Sequence, residues 1–285
     1  MITIFFPAGS FGSTLEYLIR NYSTEFESID AEICDTGSMH SFKKEFHPCS
    51  LDDLQRIKTK NYEIITPVWP GHDQMNPQEY VKKVSDMLPP ASKVIFICLK
   101  NQKQYELNEL FCFHKVHNYF SNTIINFKRW NNSYESFKDM AAWEIRESLS
   151  LIFLNNDRYF NLEEEKNRSW FVTNPEEILY NLPELLPKIL KYLDLTPDNL
   201  ISFSDYYNNW FNAQKYILDE YNLIEKILHS FKTNDYLKWD KLSIVGEAIV
   251  QSNLYKIGYD LKCFNLNLFP TDINDLKKIS TLIKD

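Results

Sequence analysis

Three groups of residues in this chain combine types and spacings that do chemistry. The first is Gly9-Ser10-Phe11-Gly12-Ser13-Thr14, lying between an apolar run at 2–6 and a segment with Leu15, Leu18 and Ile19 at helical spacing. Strand, glycine-bearing loop and helix in that order turn backbone N–H groups and the positive end of the helix dipole towards one point, which makes an anion cradle. The same residues also suit a βα connection that uses Gly and Ser only for turning. His114 and His117 form the second group, three apart on a helical pattern. They make one edge of a metal site, but no third ligand stands at the right spacing, so a structural role is expected and no metal. The third group is Tyr206, Tyr207, Trp210, Phe211 and Tyr216. It reads either as a stacking platform for a sugar or nucleobase or as a stripe of core.

Positioning such residues requires a scaffold, and the hydrophobic pattern outlines one. Strands are expected at 2–6, 30–34, 62–68, 93–99 and 170–172. The run at 93–99, KVIFICL, is almost wholly apolar, as in a parallel strand covered on both faces. Helices are expected from Ser13 or Thr14 with Glu16 in the first turn, and at 50–58, 77–88, 104–120 and 136–153. Asn174-Pro175-Glu176-Glu177 marks a further helix start, with a kink placed at Pro187. Strand and helix alternate to residue 200, which indicates an α/β fold with a doubly wound parallel sheet over 1–200. Residues 201–285 read as a mainly helical C-terminal extension packed on the same domain: helices at 203–231, 242–257 and 272–283, and a strand at 259–266.

Bulk composition narrows the function. An apolar content of 44% supports a real core, and a net charge of −8 argues against a main task of gripping nucleic acid. The cysteines Cys34, Cys49, Cys98, Cys112 and Cys263 are odd in number and lack metal spacing, so reduced thiols are expected. No basic segment precedes the first strand and no apolar run reaches membrane-spanning length. The expectation is therefore a cytoplasmic protein without a membrane span, with a homo-oligomer left open.

Taken together, PAGSFGSTL, KVIFICLK and FVTNPEEILYNLPELLPKILKYLDL resemble the sulfotransferase family over roughly residues 1–200. The resemblance implies a P-loop NTPase-like fold and 3′-phosphoadenosine-5′-phosphosulfate as sulfuryl donor. It places Gly9, Ser10, Phe11, Gly12, Ser13 and Thr14 around the 5′-phosphosulfate. Lys100 and Asn108 fall at the positions where the family binds the 3′-phosphate, although Arg and Ser are usual there. The family's loop also carries a Lys or Arg that this chain lacks. Arg146, in Trp143-Glu144-Ile145-Arg146-Glu147, is either solvated surface or the cation that fills this gap. His72, after the third expected strand, stands where the family's general base sits; its ordinary alternative is an exposed loop histidine.

Sulfuryl transfer to a hydroxyl of a carbohydrate or small molecule is thus the leading expectation. A binding or assembly protein of the same fold without catalysis is the alternative favoured by the cation-free loop. A nucleotide kinase or NTPase is a third reading, weakened by the missing Gly-Lys-Ser/Thr. A side chain at Gly12 is expected to block the loop while leaving the fold intact.

Overall fold

Ile2–Pro7 is buried along its whole length and forms β1, which is flanked on both sides. The computed structural model describes residues 1–7, 9–28, 63–69, 77–121, 169–233, 235, 237 and 242–258. The elements expected at 30–34, 50–58, 136–153, 259–266 and 272–283 lie outside them, as do His72 and Arg146.

After β1 come α1 (Gly12–Asn21), β2 (Ile64–Ile65), β3 (Val68–Trp69), α2 (Pro77–Ser85), β4 (Lys93–Ile97) and α3 (Gln102–Ser121). Then follow β5 (Phe171–Thr173), α4 (Pro175–Leu193), α5 (Leu200–Lys232) and α6 (Ile244–Lys256). Every strand pairing among the described residues is parallel, so this is an α/β fold. β2 and β3 lie along one edge of β1, β4 along the other, and β5 beyond β4. The single strand expected at 62–68 is interrupted because Pro67 has no N–H for the ladder. Its carbonyl still accepts from the Phe6 N–H at 3.3 Å. Near-continuous apolar sequence in β1 and β4 matches burial on both faces, as parallel sheets require.

The chain divides into two compact units, Met1–Asn108 with Asp157–Ala213, and Glu109–Asn156 with Gln214–Asp285. In the first, aromatic rings fill the core beside the sheet: Phe5 stacks on Trp170 at 5.7 Å and meets Phe96 edge-on at 6.2 Å. Leu15, Leu18 and Ile19 of α1 are wholly buried, as their spacing predicts. α1 begins at Gly12, so Glu16 falls beyond its first turn. Instead of complementing the helix dipole, Glu16 is buried and pairs with Arg20 Nε at 3.4 Å.

α4 starts as its sequence predicts: Asn174 Oδ1 accepts the Glu177 N–H at 3.0 Å, and Pro175 takes the first turn. The break in α4 is not at Pro187. Asn181 leaves helical geometry, with φ −124° and ψ 19°, two residues before Pro183. Pro183 has no N–H for the carbonyl four residues back, at Leu179. That carbonyl is taken by the Tyr207 hydroxyl at 3.0 Å, which also reaches the Tyr180 carbonyl at 3.3 Å. Tyr207→Phe should therefore cost about 1 kcal/mol of stability, read as a lower denaturant midpoint with an unchanged m-value.

In the second unit, Glu220 of α5 joins two other helices. Its Oε2 receives the Nε2–H of His114 on α3 at 2.5 Å, and its Oε1 accepts the Ser243 N–H at 2.5 Å. Ser243 in turn caps α6, its Oγ accepting from the Gly246 N–H at 3.1 Å. This explains His114: its partner is a carboxylate 106 residues away, with Tyr216 edge-on at 5.2 Å. Among the described residues no group of three His, Cys, Asp or Glu is arranged to hold a metal ion.

Candidate anion-binding site

The strand order reverses at β1. The chain moves from β1 to β2 and β3 on one side, then crosses to β4 on the other. In open parallel sheets this is the point where a crevice opens beyond the carboxyl ends of the strands. The register Ile2↔Lys93 to Phe5↔Phe96 brings the turn after β1 and the turn after β4 to the same edge. Gly9 to Thr14 and Lys100 therefore share one edge of one sheet.

Backbone conformation shapes the first turn. Gly9 has φ 90° and Phe11 has φ 69°, so the chain enters α1 through two left-handed residues. Gly9 adopts this freely; Phe11 is held there by packing, because its ring is 3% exposed and sits edge-on to Trp210 at 5.2 Å. The Leu15 N–H reaches the Phe11 carbonyl at 3.0 Å, so the turn runs straight into the N-terminus of α1, the end of a helix that suits an anion.

The side chains of the loop are turned inward. The Ser10 hydroxyl donates to the Pro7 carbonyl at 2.7 Å, closing the turn on itself. Ser10, Ser13 and Thr14 are all buried. Gly12 lies against the ring of Phe6, and a Cβ built at Gly12 would run into that ring. The glycine thus answers a packing demand inside the loop, which overturns the expectation that a side chain there would leave the fold intact.

Lys100 lies half-exposed after β4, its N–H donating to Gln104 Oε1 at 2.8 Å. Its ammonium is 3.9 Å from Glu177 Oε1 at the start of α4. Asn108 is on α3 and 2% exposed. Cys98, one strand position beyond β4, donates Sγ–H to the Thr173 carbonyl at 3.3 Å. Burial pushes its thiol up to about 11, so it stays protonated and is no nucleophile.

Part of the aromatic stripe is packing, although Tyr216 is exposed. Trp210 is wholly buried beneath Phe11, and Tyr206 stacks on Tyr17 at 5.5 Å with its hydroxyl enclosed. Burial raises the Tyr206 phenol well above its ordinary value. The strand–loop–helix pattern points to the loop and the resemblance to Lys100, but neither points to Glu177, Thr173 or Gln104, which complete the polar cluster around Lys100. The signal for them was present: Asn174-Pro175-Glu176-Glu177 starts a helix at the end of a strand, so its first-turn carboxylates stand at the carboxyl edge of the sheet.

No family model matches this chain, and no curated protein or solved structure is similar to it. No helix among the described residues is long and apolar enough to cross a membrane.

Proposed function

We propose that the chain binds a phosphonucleotide at the carboxyl edge of its parallel sheet, between the turn after β1 and the turn after β4. The donor is 3′-phosphoadenosine-5′-phosphosulfate, and the reaction is sulfuryl transfer to a hydroxyl of a carbohydrate or small molecule. The observation that carries this reading is the reversal of strand order at β1, which sets a left-handed turn and a helix N-terminus beside Lys100. Such a reversal is common to doubly wound sheets in general, and the P-loop type is what the sulfotransferase resemblance adds to it. Backbone amides of the turn would take the 5′-phosphosulfate, and Lys100 the second phosphate as a point charge. The catalytic base and the second cation are assigned to His72 and Arg146 by resemblance alone.

A second reading, binding or assembly without catalysis, is favoured by one observation. The loop hydroxyls are buried and no basic residue lies within Gly9 to Thr14, so charge developing on a leaving phosphate meets no cation there.

Thermal unfolding with adenosine 3′,5′-bisphosphate, ATP or buffer alone separates these readings. At about 100 times Kd the bisphosphate should stabilise the chain by about 2.7 kcal/mol, and Lys100→Met should remove most of that shift. A shift with ATP alone would favour an NTPase, and no shift with either nucleotide would overturn the proposal. Binding of the donor without its consumption, over a panel of hydroxyl acceptors, would decide for the second reading.

A further inference from the structure

Lys100 is held by a carboxylate that is itself held. Thr173 Oγ donates to Glu177 Oε2 at 2.9 Å, leaving Oε1 to face the ammonium at 3.9 Å. The Glu177 N–H is fixed on Asn174, and Glu176 Oε2 accepts from Gln104 Nε2 at 2.7 Å. Gln104 closes the chain of bonds by accepting the Lys100 N–H. Backbone and carboxylates are thus anchored, whereas the ammonium rests at the outer limit of an ion pair. The two side chains are 36% and 42% exposed, and a pair of that kind adds little to stability. Its consequence lies in binding instead.

We infer that Glu177 competes with the anionic ligand for Lys100 and so sets which phosphates the site accepts. The inference rests on the phosphonucleotide reading above. An anion reaching Lys100 gains the attraction of one charge and meets the repulsion of another fixed about 4 Å from it. A singly charged phosphodiester or sulfate ester gains least from displacing the ammonium. A phosphate monoester with two charges gains most, so the site selects a terminal phosphate such as a nucleoside 3′-phosphate.

Calorimetric titration of the full chain with adenosine 3′,5′-bisphosphate tests this. Glu177→Gln keeps an oxygen for the Thr173 hydroxyl and should tighten binding about fivefold, with an unchanged unfolding temperature in the absence of ligand. In a Lys100→Met background the same substitution should move Kd by less than about twofold. If wild type binds and Glu177→Gln leaves Kd unchanged or weakens it, the competition is refuted. An equal gain without Lys100 refutes it too, since the effect would then be one of general charge. A wild-type chain that does not bind the bisphosphate overturns the phosphonucleotide reading itself, a result distinct from the other two.

Discussion

Replacing Gly12 by alanine is expected to destabilise the protein by about 3 kcal/mol, well beyond the helix-propensity gain of roughly 1 kcal/mol that alanine offers. The reason is local and geometric. Gly12 opens α1 where the chain leaves β1, and the Phe6 ring, 5% exposed at the end of β1, occupies the space a Cβ would take. Neither partner can retreat easily, because Phe6 is held in the sheet by pairing with Val68 and Gly12 follows the left-handed Phe11. Chemical denaturation followed by circular dichroism measures the loss. Phe6→Ala alone should cost about 3–5 kcal/mol as a buried aromatic truncation. The double variant should cost clearly less than the sum of the two, since removing the ring makes room for the methyl. Strict additivity would show that the ring shifts without cost. The result also decides how binding data are read. A Gly12 variant that fails to bind a nucleotide says nothing about the ligand until its fold has been checked, which makes Lys100→Met the cleaner probe.

What the sequence makes legible here follows from the range over which each interaction acts. β1, β4, α1 and the start of α4 depend on local patterns: apolar runs, a helical stripe of Leu15, Leu18 and Ile19, and an Asn-Pro-Glu-Glu cap. Those patterns survive folding because burial and capping act within a few residues. The kink in α4 was assigned to the wrong proline because the choice lies with a distant group. Tyr207 arrives from α5 to take the Leu179 carbonyl that Pro183 leaves without a donor. The candidate site divides in the same way. Gly9 to Thr14 are visible as a motif, whereas the seat of Phe11 on Trp210 needs a contact across about 200 residues of chain. Asn108 enters the site through the resemblance, and its burial depends on neighbours that position along the chain does not show.

The same long reach governs the second large effect, at His114 and Glu220. The Glu220 side chain is 9% exposed and His114 15%, so removing one partner leaves a carboxylate facing protein rather than water. His114→Ala should cost about 3 kcal/mol, and His114→Gln, which restores an N–H donor, should recover part of it. The pH dependence follows from Glu220. Burial alone would raise its carboxyl, but the hydrogen bonds from His114 and Ser243 outweigh burial and lower it below the ordinary 4.5. A depressed carboxyl contributes stability that is complete above its unfolded value and drains away as pH falls through the lower folded one. Wild type and Glu220→Gln should therefore differ most in unfolding free energy above pH 4.5, and converge as the solution is acidified below it. Denaturant unfolding of both chains across pH 2 to 7 measures this. A difference that stayed constant over that range would mean that Glu220 carries no depressed titration. Curves that diverged on acidification would reverse the sign, placing Glu220 among carboxyls that burial keeps protonated. The expected convergence would instead show one carboxylate stabilising α3, α5 and the capped start of α6 through its two oxygens.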